Sequence, residues 1–125
     1  SRRTADQLAG HVDPNGRMPG RFNKHWESEA SWACLTGIAQ ASGVWQRLDR
    51  LEHKTQYPDV VSRTHRFLKR TQDLRTQKPG LRGGIRGSFP VHGQYLRYRV
   101  PNWAAKFFID ALLLEEYPNQ DFPLY

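Results

Sequence analysis

Hydrophobic side chains recur at helical spacing in three segments of the chain, and a helix end and two long glycine-containing loops accompany them. Residues 1–9 have the pattern of a helix end, with Gly10 as the stop. A second helix is predicted from about Ser31 to His53, because its apolar residues follow a period of 3.6. Those residues are Leu35, Ile38, Trp45, Leu48 and Leu51. Ser31, or Ser28 before it, is the expected N-cap of this helix.

Two further helices are predicted on either side of the second loop. Pro58 suits the first turn of a helix that runs to about Arg75. Its apolar stripe consists of Val60, Val61, Phe67, Leu68 and Leu74. The last helix starts near Pro101 or Asn102 and ends before Pro118, with a stripe of Ala104, Phe107, Phe108, Ala111, Leu112 and Glu115. No segment alternates as a central strand does, so the pattern predicts an all-α fold with room for short pairings inside the loops.

The two loops, residues 10–30 and 76–100, are too long to be simple connections. Loops of this length are uncommon in compact domains and are usually functional or disordered. Disordered segments are poor in aromatic residues, whereas these loops contain Phe22, Trp26, Phe89, Tyr95 and Tyr98. The sequence therefore predicts ordered loops that are packed against the helices.

An internal repeat relates the two loops. Residues 16–25, GRMPGRFNKH, align with residues 83–92, GGIRGSFPVH, at a constant offset of 67, and both fit G-x-(M/I)-x-G-x-F-x-x-H. Trp32 and Trp103 align at an offset of 71, which predicts a small insertion in the second copy. We expect a single domain over residues 1–125, with loop–helix repeats at about 10–75 and 76–117.

Composition limits the classes of partner and site. The chain has 19 Lys and Arg against 12 Asp and Glu, a net charge of +7 that favours an anionic partner, although a basic solvated surface would look the same. The single cysteine, Cys34, excludes an intrachain disulfide and a cysteine-based metal cluster, and we expect it to be buried and inert. No cofactor and no metal site are predicted. We expect no transmembrane segment and a cytoplasmic protein, or a periplasmic one if an upstream signal has been removed.

Arginine and aromatic residues alternate in the second loop and at the start of the last helix. Guanidinium groups bind carboxylates, sulfates or phosphates, and aromatic faces stack on sugars or bases. The predicted ligand-binding residues are Arg82, Arg86, Ser88, Tyr95, Arg97, Tyr98, Arg99 and Trp103. The alternative is that the arginines pair with Asp110, Glu115 or Glu116 and that the tyrosines pack in the core.

Candidate catalytic groups are few. His25 and His92 occupy equivalent repeat positions, and with Tyr95 they are the candidates for an acid or base; the alternative is that each imidazole only bonds a helix end or a loop carbonyl. Lys106 and Asp110 have the i, i+4 spacing of an ion pair, unless both face a cavity. The glycine pattern lacks the G-K-S/T of a P-loop and the G-x-G-x-x-G of a dinucleotide site.

The chain from about Gly16 to Glu116 resembles α/α-toroid proteins. The segments that carry the resemblance are LTGIAQASGVWQRLDRLEHKTQYPDVVSRTHRFLKRTQ, GGIRGSFP and YRVPNWAAKFFIDALLLEE. This class includes terpenoid cyclase and prenyltransferase repeats, polysaccharide lyases and sugar epimerases, and the chain most closely resembles uncharacterised bacterial members associated with exopolysaccharide gene clusters. The resemblance implies a partial toroid of helical hairpins, completed by homo-oligomerisation or by further repeats. The aspartate-rich acid motif of terpenoid cyclases is absent.

Three functions follow as hypotheses. The first is a domain that binds an acidic polysaccharide or oligosaccharide, as part of a lyase, hydrolase or epimerase or without catalysis. The second is a non-enzymatic assembly module. The third, and weakest, is nucleic-acid binding through the basic helix between Arg63 and Arg70, since no known nucleic-acid module is present.

Overall fold

The computed structural model describes residues 2–120 and contains four α-helices and one short antiparallel sheet. The helices are α1 (Arg2–Gly10), α2 (Leu35–Leu51), α3 (Pro58–Thr71) and α4 (Asn102–Glu116). The strands β1 (Ala33–Cys34) and β2 (Ser88–Phe89) have two residues each and pair with Ala33 opposite Phe89. The predicted helical class is confirmed, and the departures from an all-α description of residues 2–120 are the short sheet and an isolated antiparallel bridge between Phe22 and Ser28 in the first loop.

Helix α2 lies at the centre and packs against the other three helices. Hydrogen bonds between α2 and its neighbours show in which direction α3 and α4 run relative to α2. Gln46 donates to the Ala111 carbonyl oxygen at 2.9 Å and Arg50 donates to that of Leu114 at 2.6 Å, so α2 and α4 run parallel. Helix α3 runs antiparallel to α2, because Ser42 contacts His65 whereas Asp49 contacts Tyr57.

The beginning of α2 differs from the sequence prediction. The helix starts at Leu35, and the expected first residues instead extend into β1. Neither Ser28 nor Ser31 caps it. The N-cap is Cys34, whose sulfur accepts from the Gly37 amide at 3.4 Å. Burial raises the pKa of the Cys34 thiol, so this thiol is protonated at neutral pH.

Two predicted apolar residues, one at the end of α2 and one beyond the end of α3, lie outside the core. Leu51 is the last residue of α2 and is 78% exposed. Helix α3 ends at Thr71 rather than near Arg75, and Leu74 beyond it is 60% exposed. The central part of each stripe is confirmed, with Trp45, Leu68 and their neighbours buried in one core.

The register of the repeat also needs correction. Helices α2 and α4 begin at Leu35 and Asn102, which keeps the offset of 67 found in the loops. The alignment of Trp32 with Trp103 at an offset of 71 is therefore wrong, and no insertion lies at that point. The extra residues come earlier, since residues 72–82 separate α3 from Gly83 whereas the shorter segment 11–15 separates α1 from Gly16.

Candidate functional site

The two repeated loops come together beside the N-terminal ends of α2 and α4. Strand β1 follows the first loop and pairs with β2 inside the second. The pairing continues where the Leu35 amide donates to the Gly87 carbonyl oxygen at 3.1 Å. Arg21 of the first loop also bonds Gln94 of the second at 2.6 Å. The loops therefore form one continuous surface.

Matched backbone features support the predicted repeat. Gly16 and Gly83 are both left-handed, with φ of 85° and 80°. The Gly20 amide donates to the Trp32 carbonyl at 2.8 Å, and at the offset of 67 the Gly87 amide donates to that of Arg99 at 3.1 Å. Met18 and Ile85 are the buried anchors between the glycines. The two loops thus share the conformation of these glycines, the buried anchor and one backbone hydrogen bond.

Three of the predicted site residues are tied together inside the second loop. Ser88 is 1% exposed, and its hydroxyl donates to the Tyr95 carbonyl oxygen at 2.6 Å and accepts from the Tyr95 amide at 3.1 Å. Ser88 therefore holds the loop closed and does not face solvent. The Tyr95 hydroxyl accepts from the Trp103 indole at 3.1 Å, which joins the loop to the start of α4.

The other predicted ligand-binding residues are at the surface. Tyr98 is 63% exposed and Trp103 is 44% exposed. Arg82, Arg97 and Arg99 are exposed, and Arg86 is half-buried, with its guanidinium 3.4 Å from the Tyr98 carbonyl oxygen. We call this surface the loop-2 rim; it comprises Arg82, Arg86, Tyr95, Arg97, Tyr98, Arg99 and Trp103.

The backbone of the loop-2 rim is strained. Leu96 and Tyr98 have φ of 45° and 58°, in a left-handed region that bulky side chains rarely adopt. The Tyr98 amide is held by the Val91 carbonyl oxygen at 2.8 Å. Such strain costs of order 1–3 kcal/mol per residue and is concentrated at functional sites. The first loop has its left-handed non-glycine residue elsewhere, at Trp26.

Positive charge is concentrated in the same part of the chain. Residues 74–109 contain seven Lys and Arg and no Asp or Glu, whereas the rest of the chain contains twelve of each kind. Residues 74–109, which comprise the second loop and the residues beside it, therefore account for the whole net charge of +7. This segment creates a local positive potential on an otherwise balanced protein, which favours an anionic ligand.

The candidate catalytic histidines are both exposed. His25 and His92 lie at equivalent positions of the two loops, and the His25 backbone amide donates to the Asn23 side chain at 2.8 Å. Lys106 and Asp110 form the predicted ion pair on α4. No group of three or more His, Cys, Asp or Glu side chains within residues 2–120 could hold a metal ion.

A polar network that the sequence analysis missed connects three helices. The Ser42 hydroxyl of α2 lies 2.6 Å from Nε2 of His65 in α3, and Nδ1 of His65 lies 2.5 Å from Oε2 of Glu115 in α4. Burial lowers the pKa of His65, against the opposing effect of Glu115, so the ring is neutral at pH 7. The carboxylate then accepts from Nδ1–H, which leaves Nε2 to accept from the Ser42 hydroxyl.

This Ser–His–Glu arrangement resembles a catalytic triad in its order of groups but not in its access to solvent. Ser42 is 0% exposed and His65 is 2% exposed, so a substrate could not reach the hydroxyl. The network instead fixes α2, α3 and α4 relative to one another. Its three members are 23 and 50 residues apart in sequence, and no local spacing signals their contact.

Comparison with known proteins adds no relative. No family model matches the chain, and neither curated proteins nor solved structures give a significant match. In residues 2–120, none of the helices is both long and apolar enough to cross a membrane.

Proposed function

We propose that the loop-2 rim binds an acidic oligosaccharide or polysaccharide. The observation that carries the proposal is the combination of exposed arginines with exposed aromatic rings in a segment that has no acidic residue. Guanidinium groups form paired hydrogen bonds with carboxylates, and aromatic faces pack on the apolar faces of sugar rings. Uronic acids present both features in one residue.

The first loop serves as an internal control for this proposal. At the offset of 67, the positions of the loop-2 rim correspond to Asn15, Pro19, Ser28, Ala30, Ser31, Trp32 and Thr36. One backbone hydrogen bond is matched in both copies, from Gly20 to Trp32 and from Gly87 to Arg99, although the first copy has none of the rim arginines. The matched features of the loop ends therefore do not require the basic side chains, which supports a role in binding.

The helix arrangement is compatible with a segment of an α/α toroid, and we propose that architecture for the complete assembly. Two parallel helices, α2 and α4, each follow a loop with the repeated glycine pattern, and α3, which lies between them in the sequence, runs antiparallel to α2. In such an array the repeated loops line one rim. The loop-2 rim would then lie at the mouth of the central cavity.

A more specific form of the proposal is that the loop-2 rim also catalyses a reaction of the bound saccharide. A lyase or epimerase needs a base to remove a proton beside a carboxylate, and an arginine to neutralise that carboxylate. His92 or Tyr95 would supply the base and Arg86 the positive charge. The assay is product formation from uronate oligosaccharides. Its loss in His92→Ala or Tyr95→Phe would show catalysis in addition to binding.

Binding is tested by titrating immobilised uronate oligosaccharides with the wild-type chain and with Arg97→Ala and Arg99→Ala. Each variant should weaken binding about tenfold, equivalent to roughly 1.4 kcal/mol. The matched control is Arg66→Ala, which removes an exposed arginine from the outer side of α3. Equal affinity of all four proteins would refute the proposal.

Parallel titrations with sulfated glycans and single-stranded DNA distinguish the class of anion. A preference for DNA with a steep salt dependence would favour nucleic-acid binding instead. The basic face of α3 offers little support for that alternative, because Arg63 donates to the Val12 and Asp13 carbonyls and Arg70 donates to that of Asn15. An assembly role is supported by a separate observation, the apolar groove between α3 and α4.

A further inference from the structure

An apolar groove lies between α3 and α4, on a side of the molecule that the loop-2 rim does not include. It encloses about 380 Å³. Its lining includes Leu74, Gly83, Ile85, Ala105, Ile109 and Leu112. Leu74 and Ile109 are 60% and 55% exposed, although both are large aliphatic side chains. We call this surface the α3–α4 groove.

The repeat shows which kind of element fits the α3–α4 groove. At the offset of 67, its residues from Gly83 onward correspond to Gly16, Met18, Ile38, Ser42 and Trp45. Those residues form the surface of the first repeat on which α3 packs. The Ser42 hydroxyl bonds His65, and the Trp45 ring stacks on Tyr57 with centroids 6.3 Å apart.

The clearest sign of equivalence is the glycine of each loop. A Cβ atom on Gly16 would lie 1.9 Å from the Arg63 carbonyl oxygen and 2.9 Å from the Thr64 amide nitrogen, because the α3 backbone passes directly over it. Gly83 has the same left-handed conformation, but apart from Gly83 itself and its two chain neighbours no atom within residues 2–120 lies within 4 Å of its Cβ position. The second repeat thus offers the same close approach to a helix backbone.

A carboxylate is also retained at the other end of the surface. In the first repeat, Asp49 accepts from the amides of Gln56 and Tyr57, each at 2.9 Å, and so satisfies free N–H groups beside the start of α3. The equivalent residue in the second repeat is Glu116, which is exposed at the end of α4. A helix in the α3–α4 groove would bring its N-terminal amides to this carboxylate.

One position differs between the α3–α4 groove and the equivalent surface of the first repeat, and it indicates which side chain a bound helix should have there. Ser42, which bonds His65 of α3, is replaced by Ile109 in the α3–α4 groove. A histidine at that point would lose its hydroxyl partner and face an aliphatic side chain, at the cost of an unsatisfied buried nitrogen. The matching helix should therefore have an aliphatic residue where α3 has His65.

We propose that the α3–α4 groove binds an amphipathic α-helix of a partner protein, which packs against Gly83, Ile109 and Leu112 as α3 packs against the first repeat. Its N-terminal end lies near Glu116, and its backbone crosses Gly83. Its apolar face has an aliphatic residue at the position that corresponds to His65. This is an interaction surface, independent of whether the loop-2 rim binds a saccharide.

The probe for this interaction is a peptide with the sequence of residues 57–73 of this chain, with His65→Leu and a fluorescent label at its C-terminus. An isolated helix of this length is marginal in water, so Arg66→Glu and Arg70→Lys are joined in the peptide as a lactam. Fluorescence anisotropy measures binding to the full chain. We expect saturable binding, and weaker binding of the same peptide when it retains His65.

Two variants of the full chain test whether the peptide binds in the α3–α4 groove. Gly83→Asn keeps a residue type that tolerates the left-handed region but puts a side chain where the helix backbone should pass. Ile109→Asp puts a charge into the apolar contact. Each should raise the dissociation constant at least about tenfold, because Gly83→Asn introduces a steric overlap and Ile109→Asp an uncompensated buried charge. The matched control is Val44→Asp, at an α2 position outside the groove that is 47% exposed.

The outcomes are separable. Binding that is lost in Gly83→Asn and Ile109→Asp, but kept in Val44→Asp, supports the proposal, provided that circular dichroism shows all three variants folded. Absence of saturable binding by the wild-type chain would overturn it, as would equal weakening by Val44→Asp. Self-association by light scattering that Gly83→Asn abolishes would assign the groove to a second copy of the chain instead.

Discussion

Replacement of Ser42 by alanine tests whether the buried Ser–His–Glu network stabilises the fold. The variant removes a hydroxyl that is 0% exposed and leaves Nε2 of His65 without its partner in a site that is itself 2% exposed. An unsatisfied buried acceptor costs about 1–3 kcal/mol. For a chain of this size, roughly 4 °C per kcal/mol predicts a fall in melting temperature of about 4–12 °C.

The assay is thermal and urea unfolding at pH 7.5, with Ser62→Ala as the control. Ser62 lies in α3, is only partly buried and undergoes the same chemical change, so we expect a shift within about 0.5 kcal/mol. A double variant, Ser42→Ala with His65→Leu, removes both polar partners and should be more stable than the sum of the single variants predicts. Additive losses, or a harmless Ser42→Ala, would refute the reasoning.

Two further predictions concern pH and the paired glycines. Because burial lowers the pKa of His65, the unfolded chain binds more protons below about pH 6.5, and the free energy of unfolding should fall with pH from there down through the lowered value. Urea titrations between pH 5 and 8 should show this dependence weakened in His65→Leu. Gly16→Ala should lose at least about 3 kcal/mol through collision with the α3 backbone, whereas Gly83→Ala should lose only the conformational cost of about 1–2 kcal/mol. Equal losses in the two glycine variants would contradict the difference between the two surfaces.

The sequence by itself determined the helical class, the four helices and the loop repeat. These follow from local patterns: apolar residues at helical spacing, Pro58 in a first turn, and glycines at one offset, with Gly16 and Gly83 found in the same conformation. The arginines and aromatic residues of the second loop were also visible, because they are close in sequence. Their use in binding remains a proposal.

Only the tertiary structure decided what depends on contacts between distant residues. The helix start at Leu35 follows from pairing of the preceding strand with the second loop, which no helical period encodes. Ser88 was selected as a ligand-binding residue, but the fold buries it against Tyr95. The Ser42–His65–Glu115 network and the α3–α4 groove each join side chains from separate helices. Local spacing carries no information about such contacts, because packing brings those helices together.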